Sequence, residues 1–290
     1  MSNLLDLSGK IDPASLALFE TLRDVTGSLG VAFFVVGATA RDMILELGYG
    51  LPSKQATLDK DFGVRVASWD AFEKLKESLL TSGQFKQNKE VQRLRYRGEL
   101  LIDILPFGEI ADAKGEIRWP PDEDLVMSMV GFEDAYRVAR EVRVRASPPL
   151  DILVASIPGL TIMKLVSWAD RPEARSRDAV DLAHILERYL DVDNNYDRLL
   201  EAHMDLVEIE GFDYVRAGAR LLGRDIARIG EPETIGRIRE ILAKETADQG
   251  HGRLIQAMMA VRGMSDGDMK NRFGDLLGQL RQLLMGIEGR

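Results

Sequence analysis

The chain has 290 residues, a formal net charge of −9 and no cysteine, with 45% hydrophobic and 29% charged residues. This length allows more than one domain with a sizeable core, and the composition is that of a globular protein. The lack of cysteine excludes disulfides and thiolate metal sites, and the acidic total argues against tight, non-specific polynucleotide binding. No signal peptide or membrane-spanning apolar run is recognisable, so the sequence predicts a cytoplasmic protein with no membrane partner.

The first half of the chain alternates helical and strand patterns. In chain order, the periodicity predicts two helix–strand units, a further helix, a hairpin and a last alternating strand. The predicted helices are residues 13–28, 38–46 and 69–80, and the predicted strands are 31–36, 58–66, 91–97, 100–105 and 141–146. This order is typical of a mixed sheet with helices on one face.

The second half of the chain is helical in pattern from residue 160 onward. Candidate helices, separated by breaks rich in Gly, Pro or Asn, lie at residues 160–168, 178–189, 196–208, 234–247 and 268–285. The sequence therefore predicts an α+β protein, with a mixed-sheet domain at residues 1–149 and a helical domain at residues 150–290.

Two aspartates lie on the same side of a predicted strand. Because side chains alternate along a strand, Asp59 and Asp61 share one face, while Lys60, Phe62 and Val64 share the other. Two neighbouring carboxylates repel each other unless a cation lies between them. Carboxylate oxygens suit Mg²⁺, which also accepts phosphate oxygens, so the pair predicts a divalent-metal site.

A third aspartate lies in the apolar strand of residues 101–105. A carboxylate such as Asp103 is costly to bury there without a partner. Beside Asp59 and Asp61 it would complete a three-carboxylate site for one or two divalent ions. The alternative is an ion pair across the hairpin with an arginine such as Arg95.

A strand-to-helix turn precedes the acidic strand by some 20 residues. Gly37 would let the backbone approach phosphates closely at the start of a helix, where backbone N–H groups favour anions. Thr39 offers a hydroxyl donor to the same ligand. Arg41 either contacts phosphate or pairs with Asp42, and we expect the structural pairing.

These residues carry a family likeness. Gly37 and Ala38, followed by Asp59-x-Asp61 and a later Asp103, resemble the signature of the DNA-polymerase-β-like nucleotidyltransferase superfamily. In that signature the glycine is followed by a second glycine or a serine, where this chain has Ala38. The resemblance implies a polymerase-β-like fold for the N-terminal domain.

A wider set of motifs resembles AbiEii-type proteins, the toxins of type IV toxin–antitoxin and abortive-infection systems. The matching segments are residues 57–62 (TLDKDF), Lys164 with the downstream Arg171, and residues 177–182 (RDAVDL). The likeness covers roughly residues 30–190.

The resemblance implies a Mg²⁺- or Mn²⁺-dependent enzyme that transfers a nucleoside monophosphate from an NTP such as ATP to a hydroxyl. The implied acceptor is the 3′ end of tRNA or a protein, and a cognate antitoxin is a possible partner. The implied metal ligands and catalytic carboxylates are Asp59, Asp61 and Asp103. The family lysine falls on Lys164, as a triphosphate ligand, and the family's downstream aspartate falls on Asp178 or Asp181, with Asp178 preferred. The implied nucleotide-binding residues are Gly37, Ala38, Thr39, Arg41, Lys164 and Asp181.

Two other functions stay open. One is a catalytically weak nucleotide-binding or interaction module, which Ala38 favours slightly. The other is a small-molecule nucleotidyltransferase of the antibiotic-modifying type. The basic segment at residues 86–97 supports an RNA acceptor.

Overall fold

The structure of the chain is a computed structural model, which describes residues 4–53, 59–209, 211–247, 252–259 and 266–289. The chain divides into two compact units, Met1–Ser156 and Ile157–Arg290. The predicted α+β class is confirmed, with a large mixed sheet followed by a helical region. The domain boundary after residue 149 stays a prediction.

The first unit is built on a mixed sheet. Its described strands are β1 (Leu5–Asp6), β2 (Ala32–Val36), β3 (Asp59–Arg65), β4 (Phe85–Gln87), β5 (Arg93–Tyr96), β6 (Leu100–Phe107), β7 (Glu116–Arg118), β8 (Val126–Ser128), β9 (Arg140–Arg145) and β10 (Leu150–Val154). Within this part of the chain, eight strands form one sheet in the order β1-β9-β10-β2-β3-β6-β5-β4, and β7 pairs with β8 separately. β3 runs parallel to β6 and antiparallel to β2.

The helices of the first unit lie between these strands. They are α1 (Pro13–Leu29), α2 (Gly37–Arg41), which continues as a π-helix at Asp42–Gly48, α3 (Trp69–Thr81) and α4 (Phe132–Arg137). Residue 58, the first residue of the strand predicted at 58–66, lies outside the described residues. Thr57 of the TLDKDF motif also lies outside them.

Local sequence explains where α1 begins and ends. The Asp12 side chain accepts a hydrogen bond from the Ser15 N–H, and Pro13 occupies the first helical turn. Gly30 then adopts a left-handed conformation that closes the helix.

One face of the sheet is apolar and covered by a helix. Phe62 of β3 and Ile104 of β6 are Cα partners on this face, and both are fully buried. The Phe19 ring of α1 packs against the Phe62 ring with their centroids 6.1 Å apart. The alternation that directs Phe62 inward therefore places the odd-numbered residues of β3 on the opposite face.

The opposite face is also partly covered, which corrects the prediction of helices on one face only. Phe132 and Tyr136 of α4 pack their rings on Phe34 of β2, at centroid distances of 6.4 and 5.6 Å. Phe107 of β6 joins the same aromatic cluster. Such rings bury large apolar areas, so α4 closes this part of the face.

The second unit is helical throughout its described residues. Its helices are α5 (Ile157–Asp170), α6 (Ser176–Arg188), a 3-10 turn at Tyr189–Asp191, α7 (Asn195–Ala202), α8 (Met204–Ile209), α9 (Tyr214–Ile229), α10 (Pro232–Thr246), α11 (Arg253–Met258) and α12 (Asp266–Ile287). The single helix predicted at residues 196–208 is broken at His203, and α9 was not predicted. No helix in the described residues combines the length and apolar character needed to cross a membrane.

The close packing of β3 against β2 gives a test of the sheet. A Cβ added to Gly63 would lie 2.9 Å from Cδ1 of the Phe34 ring and closer still to Cε1. We expect Gly63→Ala to lower the free energy of unfolding by about 1–3 kcal/mol, because the aromatic cluster must shift. The measurement is urea denaturation.

The matched control is Gly27→Ala on α1, where an added Cβ meets no atom within 4 Å. It should raise stability by about 0.5–1 kcal/mol, since alanine favours the helix. Equal effects of the two substitutions would contradict the packing described for β3.

Candidate active site

The strand register brings the three predicted carboxylates to one face. Asp61 and Asp103 are Cα partners on the parallel strands β3 and β6, so their side chains leave the sheet on the same side. Asp59 precedes Asp61 by two residues and shares that face. This is the face opposite to Phe62 and Ile104, so an aspartate in this row avoids the apolar core.

The glycine turn lies directly against this acidic row. Gly37 follows β2 and has a φ of +62°, a conformation that L side chains rarely adopt. A Cβ at this position would lie 2.9 Å from Cγ of Asp61 and closer still to its Oδ2. The absence of a side chain at Gly37 is therefore what allows the Asp61 carboxylate to occupy its position.

An arginine that the sequence did not single out is paired with two of the carboxylates. Nε and Nη2 of Arg93 each donate to one oxygen of Asp103, at 2.7 Å. The same Nη2 also donates to Oδ2 of Asp59, at 3.1 Å. The guanidinium therefore bridges a carboxylate on β6 and a carboxylate on β3.

The alternative predicted for Asp103, an ion pair with an arginine across the hairpin, is present, but the arginine is Arg93 and not Arg95. Arg95 is the Cα partner of Leu101, and its Nη1 donates to the carbonyl oxygen of Gly98 at 3.4 Å. Arg93 is the Cα partner of Asp103 instead. The hairpin pairs Tyr96 with Leu100, and this register decides which arginine faces the aspartate.

The bridging guanidinium is strongly held. The hydrogen bonds with Asp103 raise the pKa of Arg93, partial burial opposes this, and the charges of Asp103 and Asp59 add to the increase. The side chains of Arg93, Asp59 and Asp103 are 24%, 32% and 12% exposed, so the site is reachable from solvent. Paired charge-assisted hydrogen bonds of this kind are among the strongest in proteins.

The oxygen donors on this face are of the type that Mg²⁺ prefers. In the arrangement present, however, the described residues include no group of three His, Cys, Asp or Glu side chains gathered to hold a metal ion. A positive group already lies between Asp59 and Asp103, in the form of the Arg93 guanidinium. The donor chemistry suits a cation, and in this arrangement the cation that contacts Asp59 and Asp103 is the Arg93 guanidinium.

Of the other predicted residues of the turn, Thr39 contacts the acidic strand β3. Thr39 is buried, and its hydroxyl donates to the backbone carbonyl of Asp59 at 3.5 Å. Ala38 is partly exposed. Arg41 is only 1% exposed, and its Nε donates to Asp42 at 2.7 Å, which is the structural pairing expected from the sequence.

The second unit holds the remaining predicted residues in one buried cluster. Nζ of Lys164 on α5 donates to Asp178 at 3.1 Å and to Asp181 at 2.6 Å, both on α6. The Ser167 hydroxyl donates to the other oxygen of Asp178 at 3.1 Å. Lys164, Asp178 and Asp181 therefore act together to join α5 to α6.

The balance of forces on Lys164 favours its charged form. Burial lowers its pKa, but the charges of Asp178 and Asp181 and their hydrogen bonds outweigh burial and raise the pKa above 10.5. A folded-state pKa above the unfolded value means that this stabilisation is full below about pH 10.5 and is lost only as the pH rises further. The cluster is thus intact at neutral pH.

Comparison with known proteins places the chain in the class of nucleotidyltransferases. The family described as "Nucleotidyl transferase AbiEii toxin, Type IV TA system" matches residues 21–262, which is most of the chain. The chain belongs to this family, as its motifs predicted. No curated protein matches the chain in sequence.

Several solved structures are similar to the chain at low identity. The antibiotic-resistance factor ANT(2'')-Ia has 11% identity and a TM-score of 0.35, over 69% of this chain and 99% of that one. The Thermotoga maritima CCA-adding enzyme complexed with tRNA has 12% identity and a TM-score of 0.34, over 97% and 80% of the two chains. A CCA-adding enzyme complexed with ATP has 16% identity and a TM-score of 0.34, over 91% and 67%.

Arg93 is the site residue that the sequence motifs did not identify. It lies within the basic segment at residues 86–97, where composition gives no reason to prefer it over its neighbours. A count of hairpin register from Tyr96 and Leu100 places it opposite Asp103. That register depends on a loop of three residues, Arg97 to Glu99, whereas the strands predicted at residues 91–97 and 100–105 leave only two residues between them.

The buried cluster in the second unit gives a stability test. We expect Lys164→Met to lower the free energy of unfolding by about 3–5 kcal/mol, because it leaves the two carboxylates without their buried cation. Chemical denaturation at neutral pH measures the loss.

Lys270→Met is the control, because Lys270 is an exposed lysine of α12 and its loss should change stability by less than about 0.5 kcal/mol. Similar values for both variants would show that the cluster contributes nothing to folding.

Proposed function

We propose that this chain transfers a nucleoside monophosphate from an NTP to a hydroxyl acceptor, with pyrophosphate leaving, at the acidic row of β3 and β6. The observation that carries the proposal is the register that sets Asp103 beside Asp61, with Asp59 on the same face. Membership of a nucleotidyltransferase family supports the reaction class.

In this proposal the carboxylates of Asp59, Asp61 and Asp103 hold Mg²⁺ or Mn²⁺. An ion held there would supply positive charge for the triphosphate and for the departing pyrophosphate. Asp103 orients the attacking hydroxyl and accepts its proton as the new ester bond forms. Gly37 and its neighbours place backbone close to the phosphates, because no side chain intervenes there.

Lys164 has a further part in the proposal, as the triphosphate ligand that the family likeness assigns. Its ammonium is held by Asp178 and Asp181 and is 5% exposed at the side chain. To serve as a ligand it must direct an N–H at a phosphate, either its third N–H or one that leaves a carboxylate. Without such a contact, Lys164 and its two aspartates serve only to fix α5 against α6.

The acceptor that we propose is the 3′ end of an RNA such as tRNA, or a protein hydroxyl. The support for RNA is the basic segment of residues 86–97, which includes β5 and all but the first residue of β4, at one edge of the sheet. Membership of a toxin–antitoxin family supports an antitoxin partner and a cytoplasmic site of action.

A second candidate function is a catalytically weak nucleotide-binding or interaction module. Ala38 favours it, and the bridging guanidinium of Arg93 favours it further, because that group neutralises Asp59 and Asp103 without a metal ion. A third candidate, transfer to a small molecule, differs only in the acceptor.

The reaction can be tested by incubating the protein with each labelled NTP, Mg²⁺ and either total tRNA or a cell lysate. We expect label on RNA or protein with the wild type and only background label with Asp59→Asn/Asp61→Asn, because the metal ligands are lost while side-chain shape is kept. Asp24→Asn, an exposed carboxylate of α1, is the control and should label normally.

The outcome separates the candidates. Label on a small molecule alone would support the third candidate. NTP binding without any transfer would support the weak module and contradict the proposed reaction.

A second test uses the contact between the glycine turn and the acidic row. Gly37→Ala should reduce NMP transfer by about 100-fold, because the new Cβ displaces the Asp61 carboxylate from its position. Gly30→Ala is the matched control, since its φ is +65° and an added Cβ there meets no atom within 4 Å.

Both substitutions carry backbone strain of about 1–3 kcal/mol, so the melting temperature should fall by a similar amount in the two variants. Activity should fall only in the variant at Gly37. Full activity there would show that the position of Asp61 is not needed for transfer.

A further inference from the structure

The bridging guanidinium occupies the point where carboxylates of two strands converge. Its Nη2 atom lies 2.7 Å from Asp103 on β6 and 3.1 Å from Asp59 on β3. If the Arg93 guanidinium served only to neutralise Asp103, it would need no contact with β3. The shared nitrogen therefore lies where a cation bridging the two strands would also lie.

We propose that Arg93 is an internal cation of the acidic site, and that a divalent ion binds there only by displacing its guanidinium. This inference rests on the proposed function, since it concerns the same carboxylates. It makes Arg93 a positioning residue that holds Asp59 and Asp103 in place and competes for them.

The charges on this face explain why such a cation is needed. The row carries the carboxylates of Asp59, Asp61 and Asp103 within two residues of each other along paired strands. Like charges this close are costly unless a positive group lies among them. Arg93 supplies one positive charge from the adjacent strand β5, so the site can fold with its carboxylates ionised.

The location of Arg93 allows it to leave without disturbing the sheet. It is the first residue of β5. Two backbone hydrogen bonds hold it: the Asn88 N–H donates to the Arg93 carbonyl, and the Arg93 N–H donates to the backbone carbonyl of Glu90. The side chain is about a quarter exposed, so the guanidinium can turn into solvent while the backbone stays in register. In the proposal, a small divalent cation with two positive charges then takes the place of the larger guanidinium, which carries one.

The test measures metal binding without nucleotide or turnover. The full chain is titrated with Mn²⁺, and free Mn²⁺ is followed by its electron paramagnetic resonance signal. We expect Arg93→Met to bind Mn²⁺ at least about tenfold more tightly than the wild type, because a competing positive charge is gone. Arg95→Met removes the same charge two residues along β5, where it contacts no carboxylate in the site, and should bind as the wild type does.

A second measurement guards against misfolding of the variant. Without metal, Arg93→Met should unfold at a lower temperature than the wild type. Mn²⁺ should raise the melting temperature of Arg93→Met by more than it raises that of the wild type. Arg93→Lys keeps the charge but loses the two-pronged hydrogen bonding, so its Mn²⁺ affinity should lie between those of the wild type and Arg93→Met. If Arg93→Met does not fold, the lysine variant carries the test.

The possible failures are distinguishable. Equal or weaker Mn²⁺ binding by both Arg93 variants, with the wild type binding normally, overturns this inference and leaves the proposed function standing. No Mn²⁺ binding by any of the proteins overturns the proposed function together with the inference.

Discussion

Repulsion among the carboxylates of Asp59, Asp61 and Asp103 is the constraint on which the first unit depends. Parallel pairing of β3 with β6 puts Asp61 and Asp103 side by side, and the alternation of β3 adds Asp59 to the same face. The sheet can keep this row only with positive charge beside it. Arg93 on β5 provides that charge, so the hairpin of β5 and β6 is part of the site as well as part of the sheet.

The sequence predicted the acidic face correctly because the evidence for it is local. Phe62 and Val64 mark the buried side of β3, so Asp59 and Asp61 must lie on the other side. The sequence did not predict which arginine pairs with Asp103, because that depends on the register of the hairpin. A change of one residue in hairpin pairing moves every cross-strand partner, and loop length within the basic segment was not fixed by composition. The contact between Gly37 and Asp61 likewise depends on two strands that the pattern alone does not pair.

The helical unit shows the same limit at longer range. The amphipathic pattern predicted α5 and α6, but it could not show that Lys164 binds aspartates 14 and 17 residues further along the chain. Helix α9 was missed because Gly218 and Gly223 weaken its local helical signal, while its burial within the unit stabilises it. The family likeness identified Lys164, Asp178 and Asp181 as important residues, and the structure adds that they are bonded to one another.

Both the acidic row of the first unit and the Lys164 cluster of the second contain a cation that is held by more than one carboxylate. Lys164 is nearly fully buried between two aspartates, and its charged form is favoured, so removing it from that position leaves behind the buried carboxylate of Asp181 and the partly buried one of Asp178. Arg93 is bound as tightly by hydrogen bonds but remains partly exposed, so water can take over its guanidinium when another cation neutralises the carboxylates. Exposure, rather than the strength of the ion pair, therefore makes Arg93 the more easily displaced of the two cations. The Arg93 guanidinium neutralises the site without a metal ion, and in our proposal its carboxylates become metal ligands only when a divalent cation displaces that guanidinium.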